Sequence, residues 1–104
     1  MNMYINNWMR SENISDEINH LSYAFIKVLI EKTGGELKMP LKFLDVYNDA
    51  CTKQGGNNNT DEQNTELRQH VRDNLLEKGY IFVDPKDVDY VFLTQKAIDE
   101  YSDR

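Results

Sequence analysis

Three polar side chains close together in the chain have the chemistry needed to bind DNA. Arg68 and Arg72 are four residues apart with Gln69 between them, so in a helix all three lie toward one flank. A guanidinium group can pair bidentately with guanine or hold a phosphate, and a glutamine amide can pair with adenine. The alternative is an ordinary polar helix face exposed to solvent.

A long polar helix is predicted to carry these residues over positions 60–78. Thr60 and Gln63 have the spacing of a capping box, and Gly79 provides the left-handed position that ends the helix. Its buried stripe has helical spacing and consists of Leu67, Val71 and Leu75. The opposite flank and the helix start supply the candidate DNA contacts: Gln63, Asn64, Thr65, Arg68, Gln69 and Arg72. Carboxylates that would repel phosphate interrupt this face: Glu62, Glu66 and Asp73.

A β-hairpin is predicted to follow this helix over residues 80–94. Residues 80–83 and 90–93 are aromatic and β-branched runs of strand length, and residues 84–89 form a charged turn. Asp84, Asp87 and Asp89 surround Lys86 in this turn. Such a hairpin after a DNA-contacting helix is called a wing, and a wing that enters the minor groove normally offers Arg or Lys. Lys86 is therefore a candidate for a phosphate contact only, and the alternative is that the wing serves protein contacts.

The first half of the chain is predicted to supply an arm and two helices. Residues 1–13 have helical apolar spacing around Trp8 and form an arm that packs either on its own domain or on a second copy. Ser15 is the expected N-cap of a central helix that ends at residues 33–35. Its apolar positions are Ile18, Leu21, Tyr23, Phe25, Ile26, Val28, Leu29 and Ile30.

The rest of the chain is predicted to contain a short strand, a second helix, a polar loop and a last helix. Residues 36–39 alternate polar and apolar and predict a short strand, and Pro40 is the expected first residue of a helix reaching Cys51. That helix has apolar residues at Leu41, Leu44, Val46, Tyr47 and Ala50. Residues 54–59 form a flexible polar loop, and Thr94 is the expected cap of a last helix with Ala97, Ile98 and Tyr101 on its apolar side.

Two lysines near the start of the second helix are further candidates for phosphate contacts. Lys38 and Lys42 flank the predicted helix start, where the helix dipole favours anions. The alternative, equally consistent with the sequence, is that both are solvated surface lysines.

Composition limits the class of protein. The 104 residues suit one domain, 1–104, near the size at which dimerisation adds useful burial. The single Cys51 fits a reducing cytoplasm, and no apolar run approaches the length of a membrane span. His20 and His70 have no partner at metal-ligand spacing, and no catalytic motif is present, so we expect neither a metal, a cofactor nor an enzyme.

The net charge of −6 opposes a DNA-binding interpretation, because neutralising phosphates supplies much of the affinity of DNA-binding domains. An acidic total is compatible with DNA binding where the basic residues share one face. We therefore expect specific binding that is weak for each protomer and is helped by dimerisation.

The chain resembles the small bacterial winged-helix regulators of the MarR and PadR kind. Residues 76–81 (Leu-Glu-Lys-Gly-Tyr-Ile) are similar to the exit of that family's recognition helix. Residues 91–97 (Val-Phe-Leu-Thr-Gln-Lys-Ala) are similar to its strand-to-helix step, with Ala97 in place of the usual glycine. The resemblance implies a mainly α, α+β winged helix-turn-helix with an N-terminal arm and a C-terminal helix. In size, charge and N-terminal arm the chain also resembles TubR-type adaptors, which bind plasmid centromere repeats and a tubulin-like GTPase.

The residues and the resemblance together predict a cytoplasmic homodimer that binds specific duplex DNA through residues 60–78. Repression of transcription is the commoner role within this class. The alternative role is a plasmid or phage partition adaptor that binds centromere repeats and a filament-forming NTPase. A hypothesis from a different class is a winged-helix interaction module that has lost DNA binding.

Overall fold

A computed structural model describes residues 11–55 and 61–101, with side chains from 15 to 55 and from 62 to 101. Four helices and three strands lie in these ranges: α1 (Ser11–Thr33), β1 (Leu41–Lys42), α2 (Phe43–Lys53), α3 (Asp61–Glu77), β2 (Ile81–Asp84), β3 (Asp87–Leu93) and α4 (Gln95–Tyr101). Most of the predicted arm, the Asn-rich part of the polar loop and the Thr60 cap lie outside the described residues.

The long α1 helix forms the centre of the domain, as its wide apolar surface predicts. Phe25, Ile26 and Leu29 have no solvent exposure and pack with buried residues of α2, α3 and the sheet. The prediction that Ser15 caps this helix was wrong, because α1 already begins at Ser11. Four helical residues precede Ser15, so its cap-like chemistry did not mark the helix start.

The segment before α2 differs from the prediction. Residues 36–39 form no strand, with Leu37 and Lys38 in a turn, and the strand lies at Leu41–Lys42 instead, where it pairs with Val91 and Tyr90 of β3. Pro40 therefore precedes a strand and does not begin the helix, which starts at Phe43. The long-range pairing with β3, which local alternation does not report, decides the position of this two-residue strand.

The three strands form an antiparallel sheet in the order β1-β3-β2, which completes a mainly α, α+β domain with a winged-helix-like topology. The hairpin was predicted in the right place, but its turn is tighter than residues 84–89, since Asp84 already pairs with Asp87. Val83 pairs with Val91, so residues 88–90 bulge out of the β2–β3 ladder. Such a bulge bends a strand and redirects its side chains.

The turn from α3 into β2 is held by Gly79 and Thr94. Gly79 has φ +75°, and the Tyr80 amide donates to the Leu75 carbonyl at 3.0 Å, which closes the helix as predicted. The Thr94 hydroxyl donates to the Gly79 carbonyl at 2.7 Å and accepts a hydrogen bond from the Ala97 amide at 3.2 Å. The predicted cap of the last helix is thereby confirmed.

Within the described ranges, no helix combines the length and the apolar character needed to cross a membrane. Although α1 has 23 residues, charged side chains occur along its length.

Candidate nucleic-acid interface

A surface cleft of about 530 Å³ lies between the start of α2, the α3 flank and the β3 bulge. Helix α2 and the residue before it contribute Lys42, Phe43 and Leu44, helix α3 contributes Arg68, Gln69 and Arg72, and the bulge contributes Val88 and Asp89. This cationic cleft brings four of the predicted DNA-contacting residues together: Lys42, Arg68, Gln69 and Arg72. Sequence periodicity placed the three α3 residues on one flank, and the structure adds Lys42 from a separate element.

Arg72 links the β2–β3 hairpin to helix α3. Its Nη2 atom donates a hydrogen bond to the Val88 carbonyl at 2.9 Å, and its guanidinium carbon lies 5.2 Å from the centre of the Phe43 ring. The first contact lies at the bulge, where residues 88–90 are out of register with β2 and the Val88 carbonyl meets Arg72 of α3. Arg72 therefore positions three parts of the cleft while its remaining N–H groups stay available to an anion.

Arg68 and Gln69 have different surroundings. Arg68 is half-buried above Tyr47, and its positive charge acts on both the Tyr47 phenol and the Cys51 thiol. Gln69 is exposed, and its amide nitrogen donates to the Asp73 carboxylate at 3.0 Å. Neither Arg68 nor Arg72 forms a salt bridge with any residue that the structure describes. The two guanidinium groups are therefore not neutralised by carboxylates there.

Tyr47 and Cys51 are neighbours on α2 and lie within the electrostatic reach of Arg68. Burial, and next the nearby Cys51 thiol, raise the pKa of the Tyr47 phenol, whose oxygen makes no hydrogen bond of regular geometry in the described part of the chain. Burial also raises the pKa of the half-buried Cys51 thiol, which therefore stays protonated at neutral pH. A protonated thiol in this position is a packing group and not an activated nucleophile.

The start of α2 adds a further source of positive potential to the cleft. Lys42 is the N-cap residue and makes no side-chain capping hydrogen bond, so the first amide groups of α2 are not satisfied by it. The helix dipole favours anions at this end, and Lys42 places a cation beside it. Asp45 in the first turn and Asp89 at the rim oppose this potential.

The other predicted contacts lie outside the cationic cleft. Gln63 and Asn64 are half-buried and Thr65 is exposed, all near the start of α3. Lys38 is exposed in the turn before β1, and its backbone amide donates to Glu36. Lys86 is exposed at the hairpin tip, where its amide donates to Asp84. These residues can add contacts only if a ligand extends beyond the cleft.

Four cleft residues were not predicted as site residues: Phe43, Leu44, Val88 and Asp89. Leu44 was assigned to the buried face of α2, yet it is 40% exposed, while Phe43 is buried in its place. Val88 was assigned to a charged turn. An apolar residue between two aspartates is the one sequence signal that could have marked Val88 as unusual.

A second depression, of about 270 Å³, lies on the other flank of α3 and faces α1. We call it the acidic groove; its polar lining residues are Ser15, Asn19, His70, Asp73, Asn74 and Glu77. The Asn74 amide donates to the Ser22 hydroxyl at 2.9 Å and ties α3 to α1 at this point.

The cations gathered in the cleft are suited to binding an anion. The described ranges hold no group of three or more His, Cys, Asp or Glu side chains that could bind a metal ion. The cationic cleft contains no histidine, cysteine or hydroxyl group that could act as a base or nucleophile.

Similarity to other proteins does not extend this description. No family model, curated protein or solved structure matches the chain.

Proposed function

We propose that the protein is a cytoplasmic homodimer that binds specific duplex DNA along α3, with the cationic cleft facing the duplex. The observation that carries this proposal is the convergence of Lys42, Arg68 and Arg72 at an uncapped helix N-terminus. Phosphate is the anion that such a surface favours. Gln69 and the exposed part of α3 are then close enough to the duplex to read base edges.

The overall charge is compatible with this function because the charges are unevenly distributed. Three cations and one carboxylate line the cationic cleft, whereas Asp73 and Glu77 lie in the acidic groove. The field that a duplex meets depends on the surface facing it more than on the total charge. An acidic remainder also suppresses non-specific binding, which depends mainly on phosphate neutralisation.

Within this function, transcriptional regulation is the role we place first. A partition adaptor would bind DNA through the same surface but would cover an array of repeats and contact a filament-forming NTPase. A footprint separates the two roles, because a regulator protects one short palindrome and a partition adaptor protects clustered repeats. An adjacent gene for a cytomotive NTPase would favour partition.

A second candidate function is a winged-helix module that binds a protein instead of DNA. The acidic hairpin favours it, because Asp84, Asp87 and Asp89 lie near the only lysine of the tip. The exposed Phe82, which stacks on Phe92 with ring centres 5.0 Å apart, provides an apolar surface on the same hairpin.

The test begins with selection of bound fragments from the source replicon by the full chain. Affinity for a selected duplex is then measured by fluorescence anisotropy at several salt concentrations. We expect Arg68→Ala to weaken binding and to flatten the slope of log affinity against log salt by about 0.9. The matched control is Lys53→Ala, which also removes one positive charge but lies outside the cleft and pairs with Glu31.

The two candidates predict opposite results. If the wild-type protein enriches no fragment and shifts no duplex at low salt, DNA binding is wrong and the interaction module remains. If Lys53→Ala flattens the slope as much as Arg68→Ala does, binding is a general charge effect and the cleft is not the site.

A further inference from the structure

Two exposed apolar side chains border the cationic cleft and come from different elements. Val88 in the β3 bulge is 66% exposed, and Leu44 in the first turn of α2 is 40% exposed. Val88 is the most exposed of the large hydrophobic residues that the structure describes. Apolar groups beside guanidinium groups have no role in binding phosphate, so the rim of the cleft has a second chemistry.

The position of Val88 is fixed by its backbone and not by packing of its side chain. The Val88 carbonyl accepts the hydrogen bond of Arg72 at 2.9 Å, and the bulge removes the residue from the β2–β3 ladder. Arg72 itself rests on the Phe43 ring, which precedes Leu44 in the chain. The same contacts that assemble the cationic cleft therefore hold both apolar side chains at its rim.

Duplex DNA offers one strongly apolar group on its base edges, the C5 methyl group of thymine in the major groove. Resting on the DNA-binding function proposed above, we propose that Val88 and Leu44 contact thymine methyl groups and make the bound site thymine-dependent beside the phosphates held by Arg68 and Lys42. Burial of these side chains against methyl groups removes apolar surface of both partners from water. Gln69 and the arginines would then fix the register, and the apolar rim would select thymine over cytosine.

The test compares thymine with uracil, because deoxyuridine lacks only the C5 methyl group and keeps the same base pairing. A duplex selected by the wild-type protein is synthesised with each thymine replaced in turn by uracil. We expect loss of a contacted methyl group to weaken wild-type binding by roughly fourfold. The same replacement should have no effect on the corresponding variant, Val88→Ala or Leu44→Ala, because the contact is already absent.

The matched control is Phe82→Ala, which truncates an exposed apolar residue that does not line the cleft. This variant should keep the full difference between thymine and uracil. The cycle of base and side-chain changes separates a methyl contact from a general effect of uracil on DNA shape. Since the wild-type measurement needs no variant, a misfolded variant cannot hide the result.

The outcomes distinguish this inference from the function on which it rests. Wild-type binding that is equal for thymine and uracil at every position overturns the methyl contact and leaves DNA binding intact. A uracil effect that persists in Val88→Ala and Leu44→Ala also overturns it. A wild-type protein that binds no duplex overturns both proposals.

Discussion

Helix α3 separates two depressions that differ in charge. The cationic cleft on the wing side contains Lys42, Arg68 and Arg72, whereas the acidic groove on the α1 side contains Asp73 and Glu77. Both flanks belong to the same polar helix, whose apolar stripe is completely buried. Successive residues turn by about 100°, so neighbours in the sequence reach opposite sides.

This difference shows how a chain with a net charge of −6 can keep a positive surface. The total charge counts every side chain equally, but a ligand responds mainly to charges within about 10 Å at ordinary salt concentrations. Gln69 lines the cationic cleft and its amide donates to Asp73, which lines the acidic groove, so the two depressions meet at this hydrogen bond. Four substitutions, each with a control or contrasting variant, test this description of the two sides of α3, and they follow from the largest expected effect to the smallest.

Truncating the buried stripe of α3, which packs both flanks of the helix onto the core, should have the largest effect on the free energy of unfolding. Leu75 has no solvent exposure, so Leu75→Ala leaves a cavity and should lower the free energy of unfolding by about 2–5 kcal/mol. Urea denaturation followed by circular dichroism measures this loss. The control Glu77→Ala, at an exposed position of the same helix, should change it by less than about 0.5 kcal/mol. A Leu75→Ala loss below about 1 kcal/mol contradicts the packing described here.

Charge reversal in the cationic cleft and in the acidic groove should have different effects on the affinity for DNA. Arg68→Glu should weaken DNA binding by about 10- to 100-fold, because it removes a charged contact and repels phosphate. Glu77→Lys on the other flank should leave affinity within about threefold. Anisotropy at fixed salt measures both, with Lys53→Glu as a control of equal charge change. An equal loss in Arg68→Glu and Lys53→Glu contradicts a local effect.

Arg72→Ala should loosen the wing without unfolding the domain. The variant loses the charged hydrogen bond to Val88 and the packing on Phe43, which together should cost about 1–2 kcal/mol. Hydrogen exchange should become faster at the paired amides of β2 and β3 and stay unchanged in α1. Asp73→Ala is the control on the acidic side. Unchanged exchange in the hairpin would show that Arg72 does not hold the wing.

The smallest effect is expected at Tyr47, beneath Arg68. Burial raises the pKa of this phenol, so above about pH 10 the unfolded chain ionises first and stability falls as pH rises. Tyr47→Phe should remove this part of the alkaline loss and change stability at neutral pH by less than about 1 kcal/mol, because its hydroxyl is unpaired.

Tyr80→Phe is the contrasting variant. In the wild-type protein the Tyr80 phenol donates to Glu100 at 2.7 Å, and this hydrogen bond raises the pKa of the phenol. We therefore expect Tyr80→Phe to cost about 1 kcal/mol at neutral pH. Thermal unfolding of both variants at pH 7 and above pH 10 makes the comparison, and an equal loss at pH 7 contradicts the difference in hydrogen bonding.

The sequence was sufficient where local chemistry determines the structure. The spacing of Leu67, Val71 and Leu75, together with Gly79, located the body and end of α3, and Thr94 was correctly identified as a cap. It was insufficient where distant parts of the chain decide the structure. The two-residue β1 exists because it pairs with β3, so alternation at residues 36–39 misplaced it.

The candidate site shows the same division. Helical spacing alone predicts that Arg68, Gln69 and Arg72 share one flank of α3, and all three line the cleft. Whether Lys42 joins them depends on β1 pairing, and whether Val88 joins them depends on an irregular hairpin register. Neither feature has a signature that is local in the sequence. The half of the cleft lining formed by Phe43, Leu44, Val88 and Asp89 therefore could not be predicted from the sequence.

The junction of Gly79 and Thr94 has a consequence for how the hairpin between these two residues can change in length. One hydroxyl joins the two bases of the hairpin and also starts α4. Residues 80–93 form a hairpin whose two ends are joined by this hydrogen bond. Paired insertions at the tip should therefore lengthen the hairpin of this protein while the Gly79–Thr94 contact still holds the end of α3 and the start of α4.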